Sequence, residues 1–139
     1  MAKTIRTIMT EEPRTVDAGS TLVDAAKTMK QADIGDVIVT ENGKVCGIVT
    51  DRDITVRAVA ENRDPRSTRV AEICSAELTT LAPDQSIDDA VALMRKSDVR
   101  RLPVVEDGRA VGIVSLGDLA VERDPDSALA DISAASPNT

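Results

Sequence analysis

The feature that most restricts the fold of this 139-residue chain is a repetition of the sequence on itself. When the chain is shifted by 65 residues, Ile8–Ile54 aligns with Ile73–Leu119 without a gap. The pairs that are identical in this alignment include Thr15 and Thr80, Asp24 and Asp89, Met29 and Met94, Gly47 and Gly112, and Asp53 and Asp118. A match of this length at one offset indicates a tandem duplication, so we expect the two copies to share one fold.

The first half of each copy predicts a lead-in, a brief strand and a helix. The lead-ins are Ile5–Met9 and Val70–Cys74, and the strands are Arg14–Asp17 and Thr79–Ala82. Each helix begins at a Ser/Thr-x-x-acid pattern, in which a hydroxyl and a carboxylate can cap the free N–H groups of the first turn. These patterns run from Thr21 to Asp24 and from Ser86 to Asp89, and apolar residues follow them at helical spacing.

The second half of each copy predicts two strands, a tight turn between them, and a second helix. Asn42-Gly43 and Asp107-Gly108 are strong two-residue hairpin signals. The predicted elements are strands Val37–Thr40 and Val45–Thr50 with helix Asp51–Glu61, and strands Leu102–Val105 and Ala110–Ser115 with helix Leu116–Arg123. We therefore predict an α+β, sandwich-like fold of two β-α-β-β-α repeats, 5–64 and 70–124, related by pseudo-two-fold symmetry. Residues 125–139 are expected to form a partly mobile tail.

The best candidate for a binding site is the segment that links the last strand of each copy to its last helix. In the first copy it is Gly47–Asp53, and in the second copy it is Gly112–Asp118. A hydroxyl and a carboxylate stand three residues apart where the free N–H groups of a helix point outward. This arrangement suits a sugar-phosphate: the hydroxyl and helix amides meet phosphate, and the carboxylate meets two ribose hydroxyls. The alternative is structural, because the same residues are good helix caps.

Composition excludes several classes of function. The chain has no aromatic residue, a net charge of −7 and a pI near 4.6, which argue against nucleic-acid binding by base stacking or through a basic surface. Histidine is absent, which removes the commonest general base and zinc ligand. We therefore predict no catalytic residue and no metal site.

The two cysteines match no metal-binding spacing. Cys46 aligns with Val111, and Cys74 aligns with Met9. Apolar residues at both equivalent positions favour a structural role as small buried hydrophobic side chains.

The sequence also lacks a run of apolar residues long enough to span a membrane, and its N-terminus lacks an apolar stretch typical of a signal peptide. We therefore expect a soluble cytoplasmic protein that does not associate with membranes.

The duplicated pattern Gly-apolar-x-(Ser/Thr)-x-x-Asp resembles the end of a CBS (cystathionine beta-synthase) domain. Ile8-Met9-Thr10, Arg101–Val105 and Gly112–Ser115 are similar to other parts of that family's pattern. Over Ile5–Arg123 the chain resembles a tandem CBS pair, or Bateman module, and within the family it is similar to small stand-alone bacterial proteins. The resemblance implies a non-catalytic regulatory module that binds AMP, ADP, ATP or S-adenosylmethionine in the cleft between the repeats, with no obligatory cofactor.

The resemblance also implies roles for individual residues. Thr50 and Ser115 would bond phosphate or ribose, and Asp53 and Asp118 would accept hydrogen bonds from the ribose hydroxyls. The base would contact the first strands near Thr15 and Thr80, largely through backbone atoms. It would lie between apolar side chains, for which the candidates are Ile34, Val37, Val99, Leu102 and Pro103.

The copies differ where a cation for phosphate is expected. The second copy has Arg100-Arg101 before its strand, whereas the first copy has Gly35-Asp36. The first copy has Arg52 within its motif, where the second has Gly117. Arg101 and Arg52 are the phosphate-facing candidates, although Arg100-Arg101 is equally well explained as a solvated or salt-bridged surface pair. The comparison of the copies leaves open which of them binds the ligand.

The alternative function is a protein-interaction or dimerisation module whose clefts are vestigial and bind no ligand. The family resemblance implies a homodimer formed through helix faces, and a regulated protein partner that the sequence does not identify.

Overall fold

The structure is a computed structural model that describes residues 3–74, 78–97, 99–124, 126–127, 129–130 and 132. The chain divides into two compact units, which we call the first unit (Pro13–Leu78) and the second unit (Met1–Glu12 with Thr79–Thr139). Both units combine helices with a three-stranded sheet, so the predicted α+β class is confirmed. Among the helices described, none is sufficiently long and apolar to cross a membrane.

The elements follow the predicted order, except for the strand predicted over Thr79–Ala82. They are β1 (Thr10–Glu11), β2 (Thr15–Asp17), α1 (Leu22–Ala32), β3 (Asp36–Glu41), β4 (Lys44–Thr50), α2 (Asp51–Ile54), α3 (Ile87–Ser97), β5 (Arg101–Glu106), β6 (Arg109–Ser115) and α4 (Leu116–Arg123). Two 3₁₀ turns, Ile5–Thr7 and Val70–Glu72, form the lead-ins. Both hairpin turns have positive φ at their two central residues, 55° and 79° in the first unit and 54° and 79° in the second, as the Asn-Gly and Asp-Gly sequences predict.

The sheet of the first unit has the order β2-β3-β4, with β2 parallel and β4 antiparallel to β3. Helix α1 makes the crossover between the parallel strands. Its first turn is closed by the predicted cap, in which the backbone N–H of Asp24 donates to Thr21 and that of Thr21 donates to Asp24. Leu22, Ala25 and Met29 face inward and pack in a core with the valines of the sheet.

The second unit lacks one predicted strand. The sequence predicts a strand over Thr79–Ala82, but the structure forms only a single parallel bridge between Leu81 and Val104. In the first unit the N–H of Ile38 donates to the Arg14 carbonyl at 3.0 Å. The residue equivalent to Ile38 is Pro103, which has no N–H, so the corresponding hydrogen bond to Thr79 cannot form.

The second helix of the first unit is also divided. The sequence predicts one helix over Asp51–Glu61, but α2 ends at Ile54 and a π-helical turn follows over Thr55–Val59. The N–H of Ala60 donates to the carbonyl of Thr55, five residues earlier, at 2.9 Å. The wider turn accompanies the complete burial of Ala58 in the core.

Each lead-in packs in the core of the unit that contains the other copy of the repeat. Ile5 is buried in the core of the second unit, and β1 pairs with β6 there, whereas Val70 and Ile73 are buried in the first unit. The second unit therefore contains a segment from the N-terminus in addition to its own repeat. The Met9 side chain lies directly over Gly112, where a Cβ atom would approach the Met9 Cγ to 2.8 Å.

We predict that Gly112→Ala lowers the free energy of unfolding by about 1–3 kcal/mol, because the new methyl group must displace Met9. Chemical denaturation of the single variants and of the double variant Gly112→Ala/Met9→Ala gives the coupling between the two positions. Truncation of Met9 should recover most of the loss that Gly112→Ala causes. Strictly additive effects would show that the two residues are not in contact.

Candidate functional site

Both copies build the same hydrogen-bonded junction where the last strand meets the last helix. In the first unit the Thr50 N–H donates to Asp53 Oδ2 at 2.9 Å, and the Asp53 N–H donates to Thr50 Oγ1 at 3.0 Å. In the second unit Ser115 and Asp118 make the same two bonds at 2.8 and 3.1 Å. Each hydroxyl is an N-cap and each carboxylate completes a capping box, so the structural role considered from the sequence is present in both copies.

The cap also fixes the orientation of the carboxylate that was predicted to bind ribose. In both copies it is Oδ2 that accepts the backbone N–H, and the side chain is only partly exposed. The cap therefore leaves Oδ1 of Asp53 and of Asp118 as the oxygen to which a diol could donate. A carboxylate held in advance loses little conformational freedom when it binds a ligand.

Arg57 is a residue of this site that the sequence interpretation missed. Its guanidinium Nε lies 3.8 Å from Asp53 Oδ1, and its Nη1 donates to the Ile73 carbonyl at 3.1 Å. The acid and the arginine are four residues apart on a helix, and this spacing is a recognised signal that could have identified the pair. The second copy has Glu122 at the equivalent position, and Glu122 pairs with Lys3 at 2.6 Å.

The residue across the sheet from each motif hydroxyl has opposite charge in the two units. Asp36 pairs in register with Thr50, whereas Arg101 pairs in register with Ser115. Asp36 is buried and Arg101 is exposed, and each already has an interaction within the chain. A carboxylate beside the junction repels a phosphate, and a guanidinium attracts it.

The residues predicted to enclose a base differ widely in exposure. Val37 and Leu102 are completely buried in the cores of their own units, and Pro103 is also fully buried. Ile34 is 36% exposed, and Val99 is partly buried against the second core. Contacts with Val37 or Leu102 would therefore involve backbone atoms, and the role of all five residues in binding stays a prediction.

The remaining predicted residues lie on the surface or near it. Thr15 is exposed on β2, where it pairs with Ile38, and Thr80 is partly buried outside the regular strands. Arg52 is exposed in the first turn of α2, where its backbone N–H donates to the Asp51 side chain at 2.8 Å. Their predicted contacts with a base or a phosphate stay predictions.

A cavity of about 480 Å³ opens between α3 and α4 of the second unit. Its floor is apolar, and the predicted residues Val99 and Arg100 lie in its wall together with Leu116 and Arg123. Arg123 forms an ion pair with Asp88. At the position of Arg100 the first unit has Gly35, where a Cβ atom would lie 3.1 Å from Asp51 Oδ2. Two of the three arginines that line the cavity therefore have uncharged equivalents in the first copy, Gly35 for Arg100 and Ala58 for Arg123.

The part of the chain that the structure describes contains no cluster of three or more cysteine, aspartate or glutamate side chains arranged to hold a metal ion. Histidine does not occur in the sequence. The candidate site therefore consists of hydroxyl, carboxylate and guanidinium groups, which recognise polar organic ligands through hydrogen bonds.

Comparison with known proteins identifies the repeat. The CBS domain family model matches residues 5–59 and 70–123. The CBS domain-containing protein YhcV of Bacillus subtilis (strain 168) is 43% identical over 119 residues, which cover 86% of this chain and 84% of YhcV.

Two solved structures resemble the chain closely. The CBS domain pair of protein MJ0100, in complex with 5′-methylthioadenosine and S-adenosyl-L-methionine, has a TM-score of 0.80 and 26% identity, and the match covers 91% of this chain and 100% of that one. Hypoxic Response Protein I with two coordinated zinc ions has a TM-score of 0.79 and 32% identity, and the match covers 85% and 97% of the two chains.

We predict that Ser115→Ala and Ser86→Ala each lower the free energy of unfolding by about 1 kcal/mol, because each removes the acceptor of an equivalent helix cap. Thermal or chemical denaturation without added ligand measures both losses. A negligible loss for Ser115→Ala beside a clear loss for Ser86→Ala would contradict a structural role for the Ser115 cap.

Proposed function

We propose that this chain, which belongs to the CBS domain family and carries two CBS domains, is a sensor. It binds an adenosine compound at its strand-to-helix junctions. CBS domain pairs are regulatory modules in general, and CBS proteins are generally non-catalytic. The proposal accordingly involves binding and no reaction. AMP, ADP, ATP and S-adenosylmethionine are the candidate ligands.

The observation that carries the proposal is the carboxylate that occurs in both copies. The helix cap holds its Oδ2 and leaves its Oδ1 to accept hydrogen bonds from a ligand. A ribose offers two neighbouring hydroxyl donors, and a carboxylate is an acceptor that can receive both. Hydrogen bonds to a charged acceptor are stronger than those between neutral groups. The complex of the similar MJ0100 CBS pair with two adenosine compounds supports this ligand class.

The charges beside the two junctions support different ligands for the two units. Arg101 stands across from Ser115, and a guanidinium has five N–H donors, so it can contact a phosphate in addition to its existing interaction. Asp36 stands across from Thr50, where a phosphate would meet a buried carboxylate. We therefore assign AMP, ADP or ATP to the second unit, and an adenosine compound without phosphate, such as S-adenosylmethionine, to the first.

Isothermal titration with AMP, ATP, S-adenosylmethionine and 5′-methylthioadenosine tests the binding of an adenosine compound. We expect Asp118→Asn to weaken the binding of AMP about 10–100-fold, because a charged hydrogen bond contributes about 1.5–3 kcal/mol. The matched control is Asp89→Asn, which alters the same kind of cap on α3 and should leave the affinity unchanged. Absence of heat with all four compounds, or equal weakening by Asp89→Asn, would refute the proposal.

The assignment of phosphate to the second unit has a separate test. We expect Arg101→Gln to weaken the binding of AMP and ATP by at least about tenfold while the affinity for 5′-methylthioadenosine is retained, because only the charged ligands meet the guanidinium. Arg109→Gln, at the opposite end of the same hairpin, is the control. If Arg101→Gln weakens all ligands equally, Arg101 acts on the fold and the assignment is wrong.

A second function, self-association without a ligand, is favoured by the apolar side chains that the last helices expose. Val56 and Val59 are 46% and 63% exposed in the first unit, and Leu116 and Val121 are 41% and 39% exposed in the second. Exposed apolar surface of this kind is typical of interfaces. Sedimentation equilibrium with and without AMP distinguishes the roles: a dimer that forms equally well without a ligand supports this alternative, and a monomer at all concentrations excludes it.

A further inference from the structure

Cys46 occupies an irregular position in the sheet of the first unit. In the pairing of β3 with β4, Val39 faces Gly47 and Thr40 faces Val45, so Cys46 is an extra residue without a partner across the ladder. Such a bulge bends the strand and redirects a side chain. The Cys46 thiol lies 3.5 Å from the Val39 carbonyl, and the residue is partly exposed.

Cys74 packs against the same hydrophobic core as Cys46 although it is distant in the chain. It follows the 3₁₀ turn Val70–Glu72, and its N–H donates to the Val70 carbonyl at 2.9 Å. Cys74 and Cys46 both pack at the edge of the same hydrophobic core, and both are partly exposed free thiols.

In the second unit, the positions equivalent to Cys74 and Cys46 lie close together. Met9 and Val111 are the residues equivalent to Cys74 and Cys46, and both pack against the second core. The Met9 side chain lies on Gly112, the immediate neighbour of Val111. Because Cys74 and Cys46 hold the equivalent positions and both pack against the first core, we expect Cys74 to lie beside Gly47 and near Cys46.

The electrostatics of the thiols agree with this placement. Burial raises the pKa of Cys46, and the negative charge of an ionised Cys74 raises it further, followed by Glu41 and Asp17. Burial and Asp53 raise the pKa of Cys74, and Arg57 acts in the opposite direction. The effect of Cys74 on the pKa of Cys46 accords with the position of both residues at the edge of one core.

We propose that Cys46 and Cys74 form a reversible intramolecular disulfide that ties the lead-in turn of the first unit to β4. The oxidant is a low-molecular-weight disulfide, RSSR. One cysteine thiolate attacks RSSR, which forms a mixed disulfide and releases RSH after protonation. The second thiolate then attacks the cysteine sulfur of the mixed disulfide and releases a second RSH. The protein loses two protons and two electrons, which together are two hydrogen atoms, and RSSR gains them.

The disulfide would hold a segment that contacts the candidate binding motif through Arg57. Arg57 donates to the carbonyl of Ile73, the residue before Cys74, and the same guanidinium lies 3.8 Å from Asp53. The disulfide therefore fixes the chain on one side of the arginine that contacts the carboxylate. Its formation requires no ligand, so its test is independent of the proposed adenosine binding.

The experiment treats the reduced protein with oxidised glutathione at pH 8.5, where more of each thiol is ionised than at neutral pH. We expect the intact mass to fall by two hydrogen atoms and the number of free thiols to fall from two to none. Dithiothreitol should reverse both changes. A peptide map should contain one cross-linked pair that joins Cys46 to Cys74.

The control variants use the residues of the other copy, Cys46→Val and Cys74→Met, which are accommodated in an equivalent environment. Each single variant should keep one glutathione adduct and should not lose two hydrogen atoms. Two glutathione adducts on the unmodified sequence, a disulfide between two chains, or thiols that stay reduced while a denatured sample is oxidised would overturn the proposal.

The bridge should also raise the melting temperature of the oxidised protein by about 5–10 °C relative to the reduced protein, since it restricts the unfolded chain between residues 46 and 74. The Cys46→Val variant provides the baseline, because the same treatment cannot cross-link it within one chain. An unchanged or lower melting temperature on oxidation would show that the disulfide does not stabilise the first unit.

Discussion

The structure of each copy depends on the reciprocal hydrogen bonds that join the last strand to the last helix. Thr50 with Asp53, and Ser115 with Asp118, satisfy backbone N–H groups that would otherwise be left unpaired at a partly buried helix start. These bonds set the direction in which the helix leaves the sheet. They also hold in one orientation the carboxylate that the proposed function assigns to ribose.

The duplication gives the chain two junctions of the same geometry. The residues beside these junctions differ between the copies. The pairing of β3 with β4 and of β5 with β6 places Asp36 beside one hydroxyl and Arg101 beside the other. The sheet pairing keeps the two backbone positions equivalent, although Asp36 is buried and Arg101 is exposed. Under the proposed function, the two copies share one mode of sugar recognition and differ in their preference for phosphate.

The sequence was most informative where a structure depends on neighbouring residues. The turns at Asn42-Gly43 and Asp107-Gly108, and the caps at Thr21 and Ser86, were predicted correctly because each is decided by two to four consecutive residues. The repeat strengthened these predictions, because each pattern occurs once in each copy. The predicted strand at Thr79–Ala82 was wrong because its pairing depends on a residue distant in the chain, Pro103, which has no N–H.

The sequence by itself determined the duplication, the α+β class, the order of the elements and the two hydroxyl-carboxylate motifs, because these depend on local periodicity and short-range hydrogen bonds. The tertiary structure decided which distant groups meet: Ile5 in the core of the second unit, Arg57 on the Ile73 carbonyl, and Cys46 and Cys74 on one core. It also showed that Asp53 and Asp118 are structural caps. Contacts between segments far apart in the chain arise from the packing of whole elements, which no local pattern specifies.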